Sequence, residues 1–214
     1  MSEDLDWAEI TENRLLEAML SHVPRLGWTS RALAAAARDI GLTLAEAELL
    51  TPNGPRDLAA LLARKHDRQC LERLADIDVA SLKIRERIRM GVLTRTDAAM
   101  EDEAGLRRWT GYLALPSHIA LALRLTWTSA DAIWRWAGDT ATDENHYTKR
   151  VLLAEILVST LAVRLSAGHN RAADHLDGRI NAVMSFEKWK AGVRPGDLAG
   201  RAAVMLGRLR YGGA

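Results

Sequence analysis

Residues 29–55 read TSRALAAAARDIGLTLAEAELLTPNGP, and this stretch decides how the N-terminal part of the 214-residue chain folds. Thr29 or Ser30 can cap a helix over residues 31–39, because either hydroxyl can accept a hydrogen bond from the first turn. Gly41 then ends that helix, since glycine readily adopts the left-handed conformation found after helices. The pattern therefore predicts a first short helix with defined ends.

The second half of this stretch repeats the same logic. Thr43 can cap a short helix over residues 44–50. Pro52, Asn53, Gly54 and Pro55 follow it, and this combination favours a turn over any regular element. We place the main internal boundary here, between an N-terminal three-helix part (residues 1–51) and a larger helical bundle (residues 52–191).

Outside this stretch the chain is dominated by Ala, Leu, Arg and Glu, which are strong helix formers, and apolar residues recur with helical spacing. No segment alternates as a β-strand would. The sequence predicts an all-α fold, with further helices at about residues 9–22, 56–75, 82–96, 101–115, 116–137, 145–166, 170–189 and 198–211.

Composition and charge are those of an ordinary globular protein. Hydrophobic residues make up 48%, charged residues 27%, and the formal net charge is +1. Charge alone therefore gives no reason to expect a nucleic-acid partner. The first twelve residues are acidic and contain no Lys or Arg, whereas targeting peptides are basic. We therefore expect a bacterial protein of the cytoplasm.

Residue patterns that carry chemistry are missing from the sequence. The six histidines form no His-x-x-x-His or Glu-x-x-His pair, and there is no Gly-rich phosphate loop. Asp143 and His146 have a spacing that two metal ligands could use, but Asp143 more simply caps a helix. Cys70 is more simply a half-buried small residue than a nucleophile. We expect no catalytic residue, no metal and no cofactor.

The helix over residues 44–50 would be the recognition helix of a helix-turn-helix. It carries Glu46 and Glu48 and has no basic residue, Asn or Gln. Two carboxylates would repel DNA phosphates, so we expect no nucleic-acid partner. A transcriptional regulator with a lipid effector is the alternative, and a scaffold without a ligand is a third.

Aromatic and aliphatic residues at helical spacing mark one side of two neighbouring helices. Trp127 and Trp134 are seven residues apart and so share a helix face. From the residues alone, this face could belong to a filled core or line an elongated apolar cavity. The candidate pocket residues are Leu123, Trp127, Ala130, Trp134, Leu153, Ile156, Leu157 and Leu161.

The C-terminal region (residues 192–214) contains a hinge of Gly192, Pro195 and Gly196 and then an amphipathic helix. One face of that helix is apolar, and arginines flank it, as in helices that lie on anionic membranes. The alternatives are packing against the bundle or a contact between two copies. The candidate membrane-binding residues are Leu198, Arg201, Ala202, Met205, Leu206, Arg208 and Leu209.

Three motifs give the chain a family resemblance: VPRLGWT at residues 23–29, KIR at 83–85 and WRWAGDTATDENHYTKR at 134–150. With three short helices ahead of a bundle, the sequence resembles the coenzyme-Q-nine family of ubiquinone-biosynthesis proteins from about residue 13 to about residue 210. The family's docking motif typically reads Asp-Phe-Asn-Trp-Tyr-Thr. Here Glu144 and His146 stand at its first two aromatic positions.

The resemblance implies a TetR-like helical bundle that binds an isoprenoid lipid in its apolar pocket. We expect the purified protein to carry a bound isoprenoid lipid or phospholipid. It implies docking on a membrane surface, here the inner face of a bacterial cytoplasmic membrane, and presentation of the lipid to the di-iron hydroxylase of ubiquinone synthesis. A homodimer through helices 145–166 and 170–189 is also expected. The implied partner-binding residues are Asp143, Asn145, His146, Tyr147 and Arg150.

Overall fold

Hydroxyl caps fix the N-terminal ends of the second and third helices. The computed structural model describes residues 7–140 and 144–192, and the side chains of residues 7–140 and 146–185. Helix α1 spans Trp7–Leu26, α2 spans Ser30–Asp39 and α3 spans Leu44–Leu50. Thr29 caps α2 by accepting from the Ala32 amide, and Thr43 and Glu46 form a capping box on α3. The predicted caps at Thr29 and Thr43 are confirmed.

Six further α-helices follow the turn at residues 52–54. They are α4 (Pro55–Leu74), α5 (Ile84–Met100), α6 (Glu103–Leu113), α7 (Ile119–Trp136), α8 (Glu144–Ala167) and α9 (His169–Gly192). Short 3₁₀ turns precede α5 and α7, at Val79–Ser81 and Pro116–His118. The described residues contain no strand, so the all-α prediction is confirmed for them.

Several boundaries differ from the sequence prediction, and α5, for example, ends at Met100 and not at residue 96. Pro116 was expected in the first turn of the seventh helix but lies in a 3₁₀ turn, and α7 begins only at Ile119. Helix α1 continues past the predicted end at residue 22 and includes Pro24. Pro24 lies in the last turn, and the Gly27 amide closes the helix by donating to Val23 O at 2.9 Å, with Gly27 at φ +70°.

The interior consists of two apolar clusters. The first joins α1 and α2 to α4, α6 and α7, through residues such as Leu15, Leu62 and Leu106. The first cluster therefore contains residues from both sides of the turn at residues 52–54. Trp28 also links the two sides, because its Nε1 donates to Pro55 O at 2.7 Å. The second cluster joins α5, α7, α8 and α9 around Val92 and Leu153. Helix α7 contributes to both clusters.

Candidate functional site

The first cavity of the bundle lies between α5, α6, α7 and α8 and has a volume of about 380 Å³. Most of its wall is apolar. The lining residues are Arg95, Thr96, Trp109, Thr110, Leu113, Ala114, Ala122, Thr126, Ser129, Leu157, Val158, Leu161, Ala162 and Leu165. Val158 is 56% exposed, so the cavity reaches the surface along α8. A space of this size and character suits part of an apolar ligand.

A buried ion pair forms one part of this cavity's wall. Arg95 donates from Nε to Asp67 Oδ1 at 2.5 Å, and Ser129 donates from Oγ to the same oxygen at 2.6 Å. The Arg95 and Asp67 side chains are only 9% and 12% exposed. Three helices, α4, α5 and α7, therefore meet at one polar cluster inside an otherwise apolar region.

The second cavity has a volume of about 370 Å³ and lies where α5, α8 and α9 meet the end of α7. Its lining is Ile84, Arg85, Ile88, Trp134, Thr148, Lys149, Leu152, Leu153, Ile156, Ile180, Val183 and Met184. Among the described residues Arg85 makes no ion pair, whereas Lys149 bonds Asp139 at 2.6 Å and lies 5.4 Å from the Trp134 ring centroid.

The eight predicted pocket residues do not line a single space. Leu157 and Leu161 line the first cavity, while Trp134, Leu153 and Ile156 line the second. The other three line neither: Ala130 is fully buried in the second apolar cluster, Trp127 is partly buried, and Leu123 is 67% exposed. The reason is that α8 presents different sides to α6 and α9, and the two sides enclose separate spaces.

Trp127 belongs instead to an aromatic surface, which we define as Trp127, His146 and Tyr147. Ring centroids are 6.4 Å apart for Trp127 and His146, 6.0 Å for Trp127 and Tyr147, and 5.2 Å for His146 and Tyr147. Tyr147 is 63% exposed. One turn away along each helix, Leu123 and Val151 are exposed as well, at 67% and 58%. The α7–α8 face is thus apolar and open.

Arg150, expected to contact a partner, is instead one of the most buried side chains, at 2% exposure. It donates from Nε to Asp131 Oδ1 at 2.8 Å and from Nη1 to Asp139 Oδ2 at 2.7 Å. Its role as a contact residue does not fit this burial. It holds α8 against the end of α7, immediately beneath His146 and Tyr147.

Asp139 accepts from both Lys149 and Arg150, and its side chain is 6% exposed. Burial by itself would raise the pKa of Asp139, but the two hydrogen bonds outweigh it and hold the pKa below its ordinary value. Asp139 is therefore charged at neutral pH. Asp139, Lys149 and Arg150 are three of the six charged residues in the 134–150 motif, and their partner Asp131 lies just before it.

Comparison with known proteins agrees with the family resemblance found in the sequence. A family model described as COQ9 matches residues 119–187. The chain is 31% identical over 201 residues to the Rattus norvegicus protein named "Ubiquinone biosynthesis protein COQ9, mitochondrial", covering 86% of this chain and 62% of that protein. The Homo sapiens and Bos taurus proteins of the same name are each 30% identical, covering 86% of this chain and 61% and 60% of theirs.

The chain is similar to COQ9 proteins over most of its length. It spans about three fifths of the length of the COQ9 relatives that it matches. These relatives are named mitochondrial, so the expected location on the inner face of a bacterial cytoplasmic membrane is wrong. That expectation rested on the acidic first residues of the chain. Because the chain matches only part of its relatives' length, these residues are not evidence for where the protein is located.

Several of the residues that the COQ9 resemblance singled out lie outside the described part of the chain. They are Asp143, the side chain of Asn145, and the membrane-binding set Leu198, Arg201, Ala202, Met205, Leu206, Arg208 and Leu209. Among the residues that are described, no three or more His, Cys, Asp or Glu side chains are grouped as metal ligands would be. No described helix combines the length and apolarity needed to cross a membrane.

Sequence reasoning missed Arg95, Asp67 and Ser129, although the pattern contains a signal for Arg95. Ile88, Val92 and Ala99 mark the buried face of α5 at spacings of four and seven residues. Arg95 falls on this same face, three residues after Val92. A single charged residue on a buried helical face indicates a buried partner, and the partner is on α4, where only the fold could identify it.

Proposed function

We propose that this chain is an accessory protein of ubiquinone biosynthesis that binds an isoprenoid lipid and presents it to a partner enzyme, the di-iron hydroxylase of the pathway. The relatives' names support the pathway. The observation that carries the lipid-binding part is the first cavity, an apolar space of about 380 Å³ that reaches the surface beside Val158 on α8. Burial of an apolar chain there would gain roughly 25 cal/mol per Å².

The test of lipid binding is mass spectrometry of the native protein, with one variant that fills the cavity. Ala122 lines the cavity from α7, so Ala122→Phe places a ring in the space that the lipid would occupy. Ala120 is exposed on the same helix, and Ala120→Phe is the matched control. We expect co-purified isoprenoid lipid in the wild type and in Ala120→Phe, and its loss from Ala122→Phe. Equal lipid content in both variants would contradict lipid binding in this cavity.

For partner docking, we propose the aromatic surface together with Leu123 and Val151. Exposed Tyr147, Leu123 and Val151 form an apolar face of the kind that marks protein–protein interfaces. His146 stands where the family typically has Trp, and its ring still contacts both Trp127 and Tyr147. The surface thus keeps an aromatic ring at that position.

A binding assay with the hydroxylase tests this surface. Tyr147→Ala removes a 63% exposed ring and should weaken binding at least tenfold without lowering stability, as exposed aromatic anchors do at interfaces. Trp7 is 57% exposed on α1, and Trp7→Ala serves as the control for loss of any exposed aromatic. Undiminished binding by Tyr147→Ala would remove this surface from the proposal.

We further propose that the amphipathic segment from Leu198 to Leu209 binds anionic membranes, with Arg201 and Arg208 near the lipid phosphates. Flotation with anionic and neutral vesicles tests it. Deletion of residues 193–214 and the charge reversal Arg201→Glu/Arg208→Glu should each abolish binding to anionic vesicles. If the deletion variant floats like the full chain, this segment is not the anchor.

Transcriptional regulation, the alternative function, is disfavoured by α3. The hydrogen bonds from Thr43 lower the pKa of Glu46, so this carboxylate is charged where a recognition helix would meet DNA. Leu44 and Leu49 are 67% and 76% exposed on the same short helix. A mobility-shift experiment at low salt should show no sequence-selective retardation. Self-association through α8 and α9 stays a prediction, which sedimentation equilibrium would test.

A further inference from the structure

Arg95 has hydrogen-bonding capacity that the protein does not use. Its guanidinium carries five N–H donors, and only Nε is engaged, by Asp67. Within the described residues, Nη1 and Nη2 make no hydrogen bond. The side chain is 91% buried and nevertheless forms part of the wall of the first cavity. A largely buried guanidinium that presents these donors to an apolar cavity indicates a ligand acceptor at that place.

Ser129 complements these donors. Its hydroxyl hydrogen is committed to Asp67 Oδ1 at 2.6 Å, so its oxygen remains available as an acceptor. Ser129 also lines the cavity. The polar cluster therefore offers a ligand donors from Arg95 and an acceptor from Ser129.

The polar and apolar parts of the cavity lie at different heights along the bundle. Ser129 and Ala122 both line it from α7 and are seven residues apart, which is about 10 Å along a helix axis. Leu157 and Leu165 line it from α8 over a similar distance. The cavity consequently matches an amphiphile whose polar head lies at Arg95 and Ser129 and whose chain extends towards Ala122 and Leu165.

Asp67 decides which head would be accepted. Its carboxylate neutralises Arg95 at 2.5 Å, so the cluster carries no net charge. A phosphate or diphosphate head would bring negative charge close to Asp67 in a region of low dielectric, where like charges repel strongly. A carbonyl or phenol oxygen can accept from Nη1 or Nη2 without that penalty.

We infer that Arg95 and Ser129 are specificity-determining residues that bind an uncharged, oxygen-bearing ring head of the isoprenoid ligand, and that Asp67 positions Arg95 and excludes charged heads. This inference rests on the proposed lipid-binding function, and it adds which end of the ligand is recognised and by which atoms. The recognised class is a prenylated quinone or phenol.

The experiment uses three probes that share an isoprenoid chain: a short-chain prenylated benzoquinone, the corresponding hydrocarbon without a head, and geranylgeranyl diphosphate. Their dissociation constants are measured by displacement of an uncharged fluorescent probe, 1,6-diphenyl-1,3,5-hexatriene, from the full chain. We expect the quinone to bind about tenfold more tightly than either other probe, because hydrogen bonds to a charged group contribute about 1.5–3 kcal/mol.

Two variants test the residues. Ser129→Ala is assayed with the corresponding prenylated phenol, because a phenol hydroxyl can donate to Ser129 Oγ whereas a quinone has no donor. This variant should weaken phenol binding and leave hydrocarbon binding unchanged. Arg95→Met alone would leave Asp67 buried without its partner, so the Arg95→Met/Asp67→Leu double variant is used, and it should bind quinone and hydrocarbon equally. Thr128→Ala is the matched control, because Thr128 is exposed next to Ser129 and bonds only Arg124 O.

The outcomes separate the two proposals. Equal binding of quinone and hydrocarbon by the wild type, or an unchanged quinone preference in the double variant, overturns head recognition and leaves lipid binding standing. Tighter binding of the diphosphate than of the quinone overturns the selection for uncharged heads. If no probe displaces diphenylhexatriene, the lipid-binding function itself fails, and head recognition fails with it.

Discussion

Arg150 and Asp139 form an ion pair that is almost entirely removed from solvent, with Nη1 and Oδ2 2.7 Å apart and side chains only 2% and 6% exposed. Asp131 and Lys149 complete the cluster, each bonded to one member of the pair at 2.8 and 2.6 Å. Two anions and two cations thus balance each other at the junction of α7 and α8. This junction lies directly beneath the aromatic surface proposed for docking.

Removal of the Arg150 charge should destabilise the fold strongly. Arg150→Met removes the buried cation that Asp131 and Asp139 share and leaves Asp139 with Lys149 as its remaining partner. We expect a loss of about 3–5 kcal/mol in the free energy of unfolding. Arg135 also pairs with Asp131, but its side chain is 73% exposed, so Arg135→Met should cost under about 1 kcal/mol. Urea titrations of both variants measure these values. Similar losses would show that the burial of the Arg150 ion pair does not increase its contribution to the free energy of unfolding.

Local features of this chain could be predicted from the sequence, and long-range ones could not. Thr29 and Thr43 were identified as caps because a cap is a relation between residues three apart. Arg150 was assigned to the partner surface through the family resemblance, and helical periodicity does not say which side of α8 meets α7. The same limit applies to the cavities: whether Leu157 and Ile156 line a space or fill one depends on the shapes of neighbouring helices.

His66 should make stability depend on pH near neutrality. It is fully buried, and burial lowers its pKa, although its hydrogen bond to Asp102 at 3.1 Å acts in the opposite direction. As the pH falls through about 6.5, His66 takes up a proton in the unfolded chain but not in the folded one. The unfolded state then binds more protons, so the free energy of unfolding decreases as the pH falls below about 6.5.

The measurement is a series of urea titrations between pH 5 and 7.5. His66→Gln keeps a donor for Asp102 and removes the titrating ring, so its stability should depend less on pH than that of the wild type. His169 is half exposed, and His169→Gln should retain the wild-type slope. Parallel curves for the wild type and His66→Gln would show that His66 does not titrate as its burial implies.

Gly91 permits the close approach of α5 to α7. A Cβ at this position would lie 2.6 Å from Cγ2 of Ile133, a β-branched side chain that is 2% exposed and has little room to move. We expect Gly91→Ala to cost about 1–3 kcal/mol through overpacking. In thermal denaturation, Ile133→Val should recover part of this loss when combined with Gly91→Ala.

Gly178 is the matched control for that substitution, since it lies inside α9 and a Cβ there meets nothing within 4 Å. Gly178→Ala should therefore stabilise the protein by about 0.5–1 kcal/mol, because alanine has the higher helix propensity. If both glycine variants change the melting temperature in the same direction, the contact with Ile133 is not what requires a glycine at position 91.

Cys70 should be chemically inert while the chain is folded. It is 2% exposed, and burial raises the pKa of its thiol to about 12. At pH 8 only about one molecule in ten thousand would carry the reactive thiolate. We therefore expect no measurable alkylation by iodoacetamide in native buffer and complete alkylation in denaturant, both followed by intact mass.

The Cys70→Ala/Leu71→Cys variant moves the thiol to a 38% exposed neighbouring position on α4 and should react within minutes. Comparable rates for native Cys70 and for this variant would mean that α4 opens readily, and that the interior holding Asp67 and His66 is less closed than their burial indicates.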